Sequence, residues 1–464
     1  MSDTLRLGVD TLALFPPEDA DSFAYDRSAQ AVGIVHFGIG AFHRAHQAWY
    51  TDAAMNAGER NWAITGVSLR SAEVAEQLNP QQGLYTVTER SAQGACSRVI
   101  GAVREVLVAP YETAAVIAQL AAPATHIASL TITEKGYCRT AGGALNPELA
   151  DEASVYAYLA AGLRRRRDVG LPGLTLLCCD NLAQNGALLA RLIGEYLDRR
   201  DPALAAWFAA ECACPSSMVD RIVPATTEAD RLAAAETLDG LHDAGAVFTE
   251  PFSQWVVEDR FAGPRPSWEA VGAQLVADVA PYETAKLRML NGAHSLLAYL
   301  GLAHGHVFVH QALADPAIRA LVDRLMREEA APTVETAPGQ DLGVYADALL
   351  ARFANPALPH RLMQIAMDGS QKLPQRWFET LAANRKAGRD CPAILTGIAA
   401  WIRHLREANG GVDDPRAAEL ASIAADAQPL DGLFGPRGLF TPFWTCETAD
   451  RIAISDQLAL LGRA

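Results

Sequence analysis

The strongest constraint on the fold is a change of pattern near residue 282. Before it, short apolar runs rich in Val, Ile and Thr alternate with helix-like stretches, which is typical of a mostly parallel sheet covered by helices. After it, long Ala- and Leu-rich segments with helical periodicity replace the strand-like runs. The sequence therefore predicts an α/β protein with a sheet domain over residues 1–280 and an all-α domain over residues 281–464.

The predicted elements follow this division. Strands are predicted over AVGIVHFGIG (31–40, with its turn), NWAITGVSLR (61–70), RVIGAVREVLV (98–108), THIASLTIT (125–133) and GLTLLCC (173–179), and helices over 111–121 and 183–199. Later helices are predicted in ETAKLRMLNGAHSLLAYLG, PAIRALVDRLMREEA, VYADALLARFA, AILTGIAAWIRHLREA and ELASIAADA. No repeat or long flexible linker interrupts the chain, so we expect the two domains to pack closely.

The bulk composition excludes several classes of protein. The 464 residues are 50% hydrophobic and 20% charged, with a formal net charge of −15, which suits a globular protein with a large core. The acidic balance argues against a nucleic-acid partner, and we expect the quartet Arg164–Arg167 to be the solvated end of a helix. Because no apolar run is long enough to cross a membrane and no leader pattern opens the chain, we expect a soluble, cytoplasmic protein.

The cysteines and histidines do not predict a metal site. None of the 8 cysteines lies in a CxxC motif, so we expect free thiols, many of them buried. Neither close pair, Cys178–Cys179 or Cys212–Cys214, has a second pair or a histidine at zinc spacing. The histidines of LAHGHVFVHQ (302–311) are expected to be loop and helix-start residues.

The segment Gly38-Ile39-Gly40 follows a predicted strand and precedes a predicted helix. Glycines at such a turn let the backbone approach a pyrophosphate, whose charge then lies at the helix N-terminus. His43 stands where the third glycine of GxGxxG belongs, so an ordinary strand-to-helix turn remains the alternative. Arg44 follows at a position where a guanidinium could meet a phosphate, and its alternative is a surface helix charge.

The residues after the second strand bear on the choice of cofactor. A Rossmann fold usually presents an acid there to the adenosine ribose of NAD. Here Arg70 and Ser71 come first, and Glu73 follows two residues later. NAD is the expected cofactor, and NADP stays open because Arg70 and Ser71 could accommodate a 2′-phosphate.

The segment YETAKLRMLNGAH (282–294) opens the helical domain with several polar residues among apolar ones. At about 100° per residue, Glu283, Lys286, Asn291 and His294 fall within one arc of about 140°. A polar solvent face is the alternative, but an Asn-Gly pair weakens the middle of a surface helix. We interpret the four residues as catalytic: Lys286 as the base, Asn291 as a donor to an oxyanion, His294 as a ligand for a substrate hydroxyl and Glu283 as a proton relay.

This spacing of Lys286, Asn291 and His294, together with further motifs, resembles the polyol-specific long-chain dehydrogenases. The other motifs are GIGAFHRAH (38–46), SLTITEKGYC (129–138), CCDNLAQNG (178–186), SSMVDRIVPAT (216–226) and EPFSQWVVEDRF (250–261). The family includes mannitol 2-dehydrogenase, D-arabinitol dehydrogenase and fructuronate reductase (D-mannonate oxidoreductase). The resemblance runs from about residue 31 to at least Trp377.

The resemblance implies a zinc-independent NAD(P) dehydrogenase with a Rossmann-type N-terminal domain, a helical catalytic domain and an active site in the cleft between them. Members of the family are often monomers, so a monomer is expected and a dimer stays possible. The implied cofactor contacts are Gly38, Gly40, Phe42, Arg44, Arg70 and Thr131.

The resemblance also implies roles for the polar residues of the active site. Lys286 matches the position of the family's general base, and Asn181 and Asn291 match its oxyanion-stabilising pair. Asp220 and His294 match the positions of family residues that bind substrate hydroxyl groups.

Some of these residues have alternatives. Glu283 matches the acid that precedes the lysine, which supports the relay. Asn181 could instead cap the next helix, and Asp220 could pair with Arg221 or cap a turn. Asp180 is expected to be a structural turn residue.

The segment DGSQKLPQRW (368–377) bears on the substrate. Lys372 and Arg376 are expected in a loop whose counterpart in the family borders the substrate, and KLPQR resembles the fructuronate reductases. A carboxylate on the substrate would benefit from Lys372 as a cation, but a neutral polyol could use the same lysine as a donor. D-mannonate/D-fructuronate is therefore favoured over D-mannitol/D-fructose, with D-arabinitol third.

Two alternatives lie outside this reaction class. A catalytically inactive NAD-binding regulatory protein would bind the cofactor without turnover. A metal-dependent sugar-acid dehydratase would need a cluster of carboxylate or histidine ligands at short spacing, which the sequence lacks.

Overall fold

The computed structural model describes residues 5–14, 16–140, 142–151, 153–357, 359–407 and 411–462. The chain divides after Val279 into two compact units, one carrying the sheets and one helical. This arrangement confirms the predicted fold class of a parallel-sheet domain followed by an all-α domain.

A five-stranded parallel sheet forms the centre of the N-terminal unit. Its strands lie in the order Val103–Val108, Ala63–Ser68, Val32–Phe37, Ile127–Leu130 and Thr175–Cys178. The first of these strands in the chain is central, and the strand order reverses beside it, as in dinucleotide-binding α/β folds. Ile34, Val35 and Phe37 are fully buried, because helices cover both faces and the strand is apolar except for His36.

Two smaller sheets and a series of helices complete this unit. One smaller sheet has four strands, in the order Ala20–Asp21, Gly94–Ile100, Tyr85–Ser91 and Val247–Thr249. The other has three, in the order Gln274–Val276, Gln254–Glu258 and Ser217–Asp220. The helices are Val9–Leu14, Ala41–Ala45, Gln47–Asn56, Glu73–Leu78, Asn79–Gln81, Thr113–Leu120, Thr133–Gly136, Val155–Asp168, Asn185–Asp198, Pro202–Glu211, Glu228–Thr237 and Trp268–Val271.

The single strand predicted over residues 98–108 is wrong. One strand ends at Ile100 and another begins at Val103, and the two strands belong to different sheets. At the break, the N–H of Gly101 donates to the buried carboxylate of Asp52 at 2.9 Å. A Cβ at Gly101 would lie 2.6 Å from the Phe23 ring, so a distant ring and carboxylate determine the break.

The arginine quartet is only partly the solvated helix end that the sequence predicts. It ends the helix Val155–Asp168, but Arg166 is fully buried. Its guanidinium donates to the carbonyl oxygens of Leu120 and Ala122, each at 3.0 Å, and Nε donates to Pro172 at 2.8 Å. Arg166 is therefore a structural residue that satisfies loop carbonyl groups.

The C-terminal unit is built from helices. They are Ala280–Ala285, Gly292–Ala303, Val309–Ala314, Pro316–Arg324, Ala331–Thr333, Leu342–Phe353, Leu362–Ala366, Gly369–Leu373, Glu379–Lys386, Pro392–Glu407, Ala417–Ala425, Pro429–Phe434 and Thr448–Leu461, with π-helical segments at Lys286–Asn291, Leu325–Ala330 and Pro374–Phe378. Pro392–Glu407 lies in the core, and both Gly292–Ala303 and Thr448–Leu461 pack against it. Across the described ranges, no helix has the length and apolarity that a membrane crossing requires.

Candidate active site

The glycine-rich turn lies at the carboxyl end of the central strand, beside the end of Ile127–Leu130. Gly38 has a φ of 93°, and a Cβ there would lie 2.0 Å from the carbonyl oxygen of Thr131. Gly40 is exposed, and a Cβ on it would meet only the carbonyl oxygen of Gly38 at 3.9 Å. The next helix, Ala41–Ala45, has no side-chain cap. The turn therefore fits a pyrophosphate, because its surface is open and backbone N–H groups lie beside it.

Thr131 and His36 hold the turn from the protein interior. Thr131 Oγ1 donates to the carbonyl oxygen of Gly38 at 2.7 Å, and His36 Nε2 lies 2.8 Å from that hydroxyl. Burial lowers the pKa of His36 to about 3, so the ring is neutral. The sequence predicted Thr131 but missed His36, whose only signal is a histidine within an apolar strand.

His43 explains how the turn works without its third glycine. In GxGxxG the third glycine permits close packing of helix on strand. Here the His43 ring stacks on His36, with 3.4 Å between ring centroids and 14° between ring planes. Burial lowers the pKa of His43 well below its usual value, so two flat neutral rings take the place of the missing contact.

Phe42 and Arg44 have different surroundings. Phe42 is half-buried and stacks on His46, with 5.0 Å between ring centroids. Arg44 is buried, donates to the carbonyl oxygen of Gly245 and lies over the Tyr85 ring at 5.6 Å. These contacts hold the Arg44 guanidinium inside the unit, so the predicted phosphate contact gains no support from them.

Arg70, Ser71 and Glu73 are all exposed just after the strand Ala63–Ser68. Ser68 Oγ donates to the carbonyl oxygen of Ser71, and Ser71 Oγ accepts from the N–H of Glu73 at 3.1 Å. These bonds form a defined bend with one arginine and one acid at the surface.

Asn181 is exposed and follows the last strand of the five-stranded sheet, Thr175–Cys178. The next helix begins at Asn185, and its N-cap residue is Gln184 rather than Asn181. Asn185 was missed by the sequence reasoning. It is fully buried, donates to the carbonyl oxygens of Asp180 and Ser217 at 3.0 and 2.8 Å, and accepts from the N–H of Ser217 at 2.9 Å.

Asp180 is a structural turn residue, as expected. Its carboxylate accepts from the N–H groups of Ile132 and Thr133 at 2.9 and 3.1 Å, and from the Tyr137 hydroxyl at 2.7 Å. Burial raises the pKa of this carboxyl group. The contacts join the turn of Asn181 to the segment after Ile127–Leu130.

Asp220 is buried at the end of the strand Ser217–Asp220, which pairs antiparallel with Gln254–Glu258. Asn185 connects the start of this strand to the turn of Asn181. The neighbouring Arg221 donates to the Ala45 and Glu250 carbonyl oxygens and to the Glu89 carboxylate.

The segment Lys286–Asn291 is π-helical and joins the α-helices Ala280–Ala285 and Gly292–Ala303. A π turn closes its hydrogen bond over five residues instead of four, and such turns are frequent at functional sites. Lys286 and Asn291 are five residues apart, so they are neighbours along one face. The angular spacing of about 100° per residue, which assumes a regular α-helix, is therefore wrong across this segment. Glu283, Lys286, Asn291 and His294 are all half-buried.

His294 lies against two rings of the same unit. The centroid of its ring is 4.7 Å from that of Phe353 and 5.5 Å from that of His360. Burial, together with the neighbouring His360, Arg352 and Arg376, lowers the pKa of His294 well below its usual value. A neutral imidazole offers one donor and one acceptor, which suits a hydroxyl group. The sequence reasoning missed His360.

Lys372 and Arg376 lie on helical segments, so the predicted loop is wrong. Near the start of the helix Gly369–Leu373, the N–H and the hydroxyl of Ser370 both donate to the Asp414 carboxylate, at 2.8 and 2.6 Å. Lys372 Nζ donates to the carbonyl oxygen of Met367 at 2.7 Å and lies 3.7 Å from the Asp368 carboxylate. Burial and the charge of Arg376 lower the pKa of Lys372.

The π-helical segment Pro374–Phe378 packs against the π-helical segment Lys286–Asn291. Arg376 Nη1 donates to Ser295 Oγ at 2.9 Å and lies 3.4 Å from the carbonyl oxygen of Asn291. Trp377 Nε1 donates to the carbonyl oxygen of Gly292 at 3.1 Å. The structure therefore brings the KLPQR motif onto the helix that carries Lys286 and Asn291.

The predicted residues form one group in each unit. In the N-terminal unit, Gly38, Thr131 and Asn181 follow the carboxyl ends of parallel strands, and Asn185 ties the strand of Asp220 to them. In the helical unit, the catalytic candidates share one helix with the KLPQR segment beside it. Among the described residues, no group of three or more His, Cys, Asp or Glu side chains could hold a metal ion.

Comparison with known proteins gives matches across both units. The mannitol dehydrogenase Rossmann domain matches residues 32–270, and the mannitol dehydrogenase C-terminal domain matches residues 278–429. The uncharacterized oxidoreductase YeiQ of Escherichia coli (strain K12) is 44% identical over 445 residues, covering 91% of each chain. The D-mannonate oxidoreductase of the same organism is 41% identical over 440 residues, covering 90% of each.

A solved structure supports the same relationship. The Pseudomonas fluorescens mannitol 2-dehydrogenase, in a ternary complex with NAD and D-mannitol, is 34% identical with a TM-score of 0.79. The match covers 99% of this chain and 97% of that one.

Proposed function

Because this chain belongs to the mannitol dehydrogenase family and is an oxidoreductase acting on CH–OH groups of polyols or sugar acids, we propose that it interconverts D-mannonate and D-fructuronate with NAD. The observation that supports the proposal is the π-helical segment Lys286–Asn291, because a π turn brings residues five apart onto one helix face. In this proposal the two side chains act on one carbinol oxygen, Lys286 as the base and Asn291 as the amide donor.

In the proposed mechanism Lys286 takes the proton of the substrate hydroxyl as the general base. Bound NAD⁺ would accept the hydride from the carbinol carbon. Asn291 donates to the oxygen as it gains negative charge, and Asn181 is proposed as the second donor. Glu283, one turn before Lys286, is proposed to pass the proton to solvent.

The remaining predicted residues are proposed to hold the two ligands. His294, neutral and half-buried, is proposed to bind a substrate hydroxyl group, as are Asp220 and Lys372. The open glycine turn supports the pyrophosphate contact. The proposed cofactor contacts are Gly38, Gly40, Phe42, Arg70 and Thr131.

Two observations support a sugar acid as the substrate. A D-mannonate oxidoreductase is among the relatives that match nearly the whole chain. Two cations, Lys372 and Arg376, lie on the segment beside the catalytic helix. The second candidate is mannitol 2-dehydrogenase activity, because a solved mannitol 2-dehydrogenase matches over 97% of its length. D-arabinitol stays third.

Initial rates test the proposal. After treatment with a chelator, the enzyme is assayed with D-mannonate, D-mannitol and D-arabinitol, each with NAD⁺ and NADP⁺. We expect the highest kcat/KM for D-mannonate with NAD⁺. A higher value for D-mannitol would select the second candidate, and binding of NADH without any turnover would select the inactive regulatory protein.

A further inference from the structure

The two cations of the KLPQR segment differ in their partners. Lys372 already has a carbonyl acceptor, Met367, and a carboxylate neighbour, Asp368. Arg376 makes no ion pair with any residue in the described part of the chain, and its hydrogen bonds go to the neutral oxygens of Ser295 and Asn291. One of the two positive charges is therefore uncompensated.

The geometry of Arg376 leaves one edge of its guanidinium open. Only Nη1 is bound to the helix. Nε and Nη2 form no hydrogen bond with described residues, and neither is among the buried side-chain atoms that lack a partner. Nε–H and Nη2–H point the same way along one edge of the planar fork, which matches the two oxygens of a carboxylate. The bond to Ser295 also limits rotation of the side chain, so the open edge is held in place.

The charge of Arg376 is costly without a counterion. Its side chain is half-buried, and a partly desolvated cation gains more from an anion than an exposed one does. Burial lowers the pKa of Arg376 to about 10, which still leaves it charged at neutral pH.

We propose that Arg376, rather than Lys372, binds the carboxylate of the sugar-acid substrate through Nε and Nη2 while Nη1 remains on Ser295. This inference rests on the proposed function and names the residue that selects an acid over a polyol. A polyol presents a neutral CH₂OH group to the same edge, so it leaves the cation without an anion. Arg376 is therefore a specificity-determining residue in this proposal.

The test compares Arg376→Met with the wild-type enzyme on an acid and on its neutral analogue. For D-mannonate, kcat/KM should fall about 100-fold or more, mainly through a higher KM, because hydrogen bonds to a charged group are lost. For D-mannitol, kcat/KM should change less than about threefold. Arg319→Met, which removes an exposed arginine from the helix Pro316–Arg324, is the charge-matched control and should leave both values unchanged.

Two further variants test whether the guanidinium shape of Arg376 matters beyond its charge, and whether Lys372 contributes to selectivity. Arg376→Lys keeps the charge without the bidentate edge and should lose about tenfold on D-mannonate. Lys372→Met should change the ratio of the two kcat/KM values less than about threefold. If Lys372→Met removes the preference for the acid and Arg376→Met does not, the proposal is wrong.

A merely structural arginine would give a different result. Equal losses on D-mannonate and D-mannitol in Arg376→Met, or no loss on either, would overturn the proposal. Thermal unfolding and NADH fluorescence show whether the variant folds, and added guanidinium ion should restore D-mannonate turnover in Arg376→Ala.

Direct binding distinguishes this inference from the proposed function. Calorimetry with D-mannonate and the NADH complex should give at least tenfold weaker binding for Arg376→Met than for the wild type. If the wild type binds D-mannonate through Arg376 without oxidising it, the proposed function fails and the inference stands. If D-mannonate is oxidised equally well by both proteins, the inference fails and the proposed function stands.

Discussion

At Gly38 the backbone forms the candidate cofactor site, whereas at Lys286–Asn291 the side chains carry the candidate chemistry. The glycine turn excludes side chains, since a Cβ at Gly38 would overlap the Thr131 carbonyl oxygen. The π turn instead presents half-buried polar side chains in a wider helix. One region therefore depends on an empty space and the other on functional groups, so they should respond differently to small substitutions.

The largest effect should come from removing the proposed base. Lys286→Met should lower kcat by about 100- to 10,000-fold, because a general base contributes that much to proton transfer. NADH affinity should persist, since the glycine turn is unchanged. Single-turnover kinetics and fluorescence titration with NADH measure the two quantities, and near-normal turnover would exclude Lys286 as the base.

The next effect concerns the space at the glycine turn. Gly38→Ala should lose more than about 2 kcal/mol of unfolding free energy, because the new methyl group overlaps Thr131 and the φ of 93° disfavours any side chain. NADH binding should fall with it. Urea denaturation measures the stability, and a wild-type-like midpoint with normal NADH binding would show that the turn relaxes easily.

A smaller effect should appear in acid, through the buried ring beneath that turn. The folded-state pKa of His36 is lowered to about 3, so between that value and the unfolded value of about 6.5 only the unfolded chain binds this proton. Stability therefore falls as pH decreases, by about 2 kcal/mol from this group at pH 5. Urea midpoints at pH 7.5 and pH 5 should show a smaller drop in His36→Gln than in the wild type, and equal drops would contradict the assignment.

The smallest effect should come from a glycine in the helical unit. A Cβ at Gly292 would lie 3.5 Å from the Arg376 carbonyl oxygen and from Leu325, which is ordinary contact. Gly292→Ala should therefore leave turnover unchanged and raise the unfolding free energy by up to about 1 kcal/mol, because alanine favours helix. A loss of stability would show that this helix tolerates a methyl group no better than the turn at Gly38 does.

Local patterns predicted the central sheet and several of the long helices, because the causes of these elements are local. The alternation of β-branched runs and helical periodicity predicted the parallel strands other than Val103–Val108, including Val32–Phe37 with its turn, and several of the helices after residue 282. It failed at Gly101, where Asp52 and Phe23 interrupt an apolar run, and at Arg166, whose guanidinium is buried against the distant carbonyl groups of Leu120 and Ala122. These contacts join residues far apart in the chain, so no local pattern contains them.

The candidate site divides in the same way. Spacing and motif wording were sufficient to select Lys286, Asn291 and His294 as candidates. They could not reveal the π turn, since a count at 100° per residue assumes a regular α-helix. They also suggested Lys372 as a cation for a substrate carboxylate, but its contact with Asp368 is visible only in the folded chain.

The sequence by itself determined the family, the division into a parallel-sheet unit and a helical unit, and the residue types available for hydride-transfer chemistry. Those properties follow from periodicity and from motifs of neighbouring residues. Only the tertiary structure decided that His43 replaces a glycine by stacking on His36, and that Arg376 retains an open guanidinium edge beside Asn291. The physical reason is that the partners, burial and charge compensation of a side chain are set by residues distant in sequence.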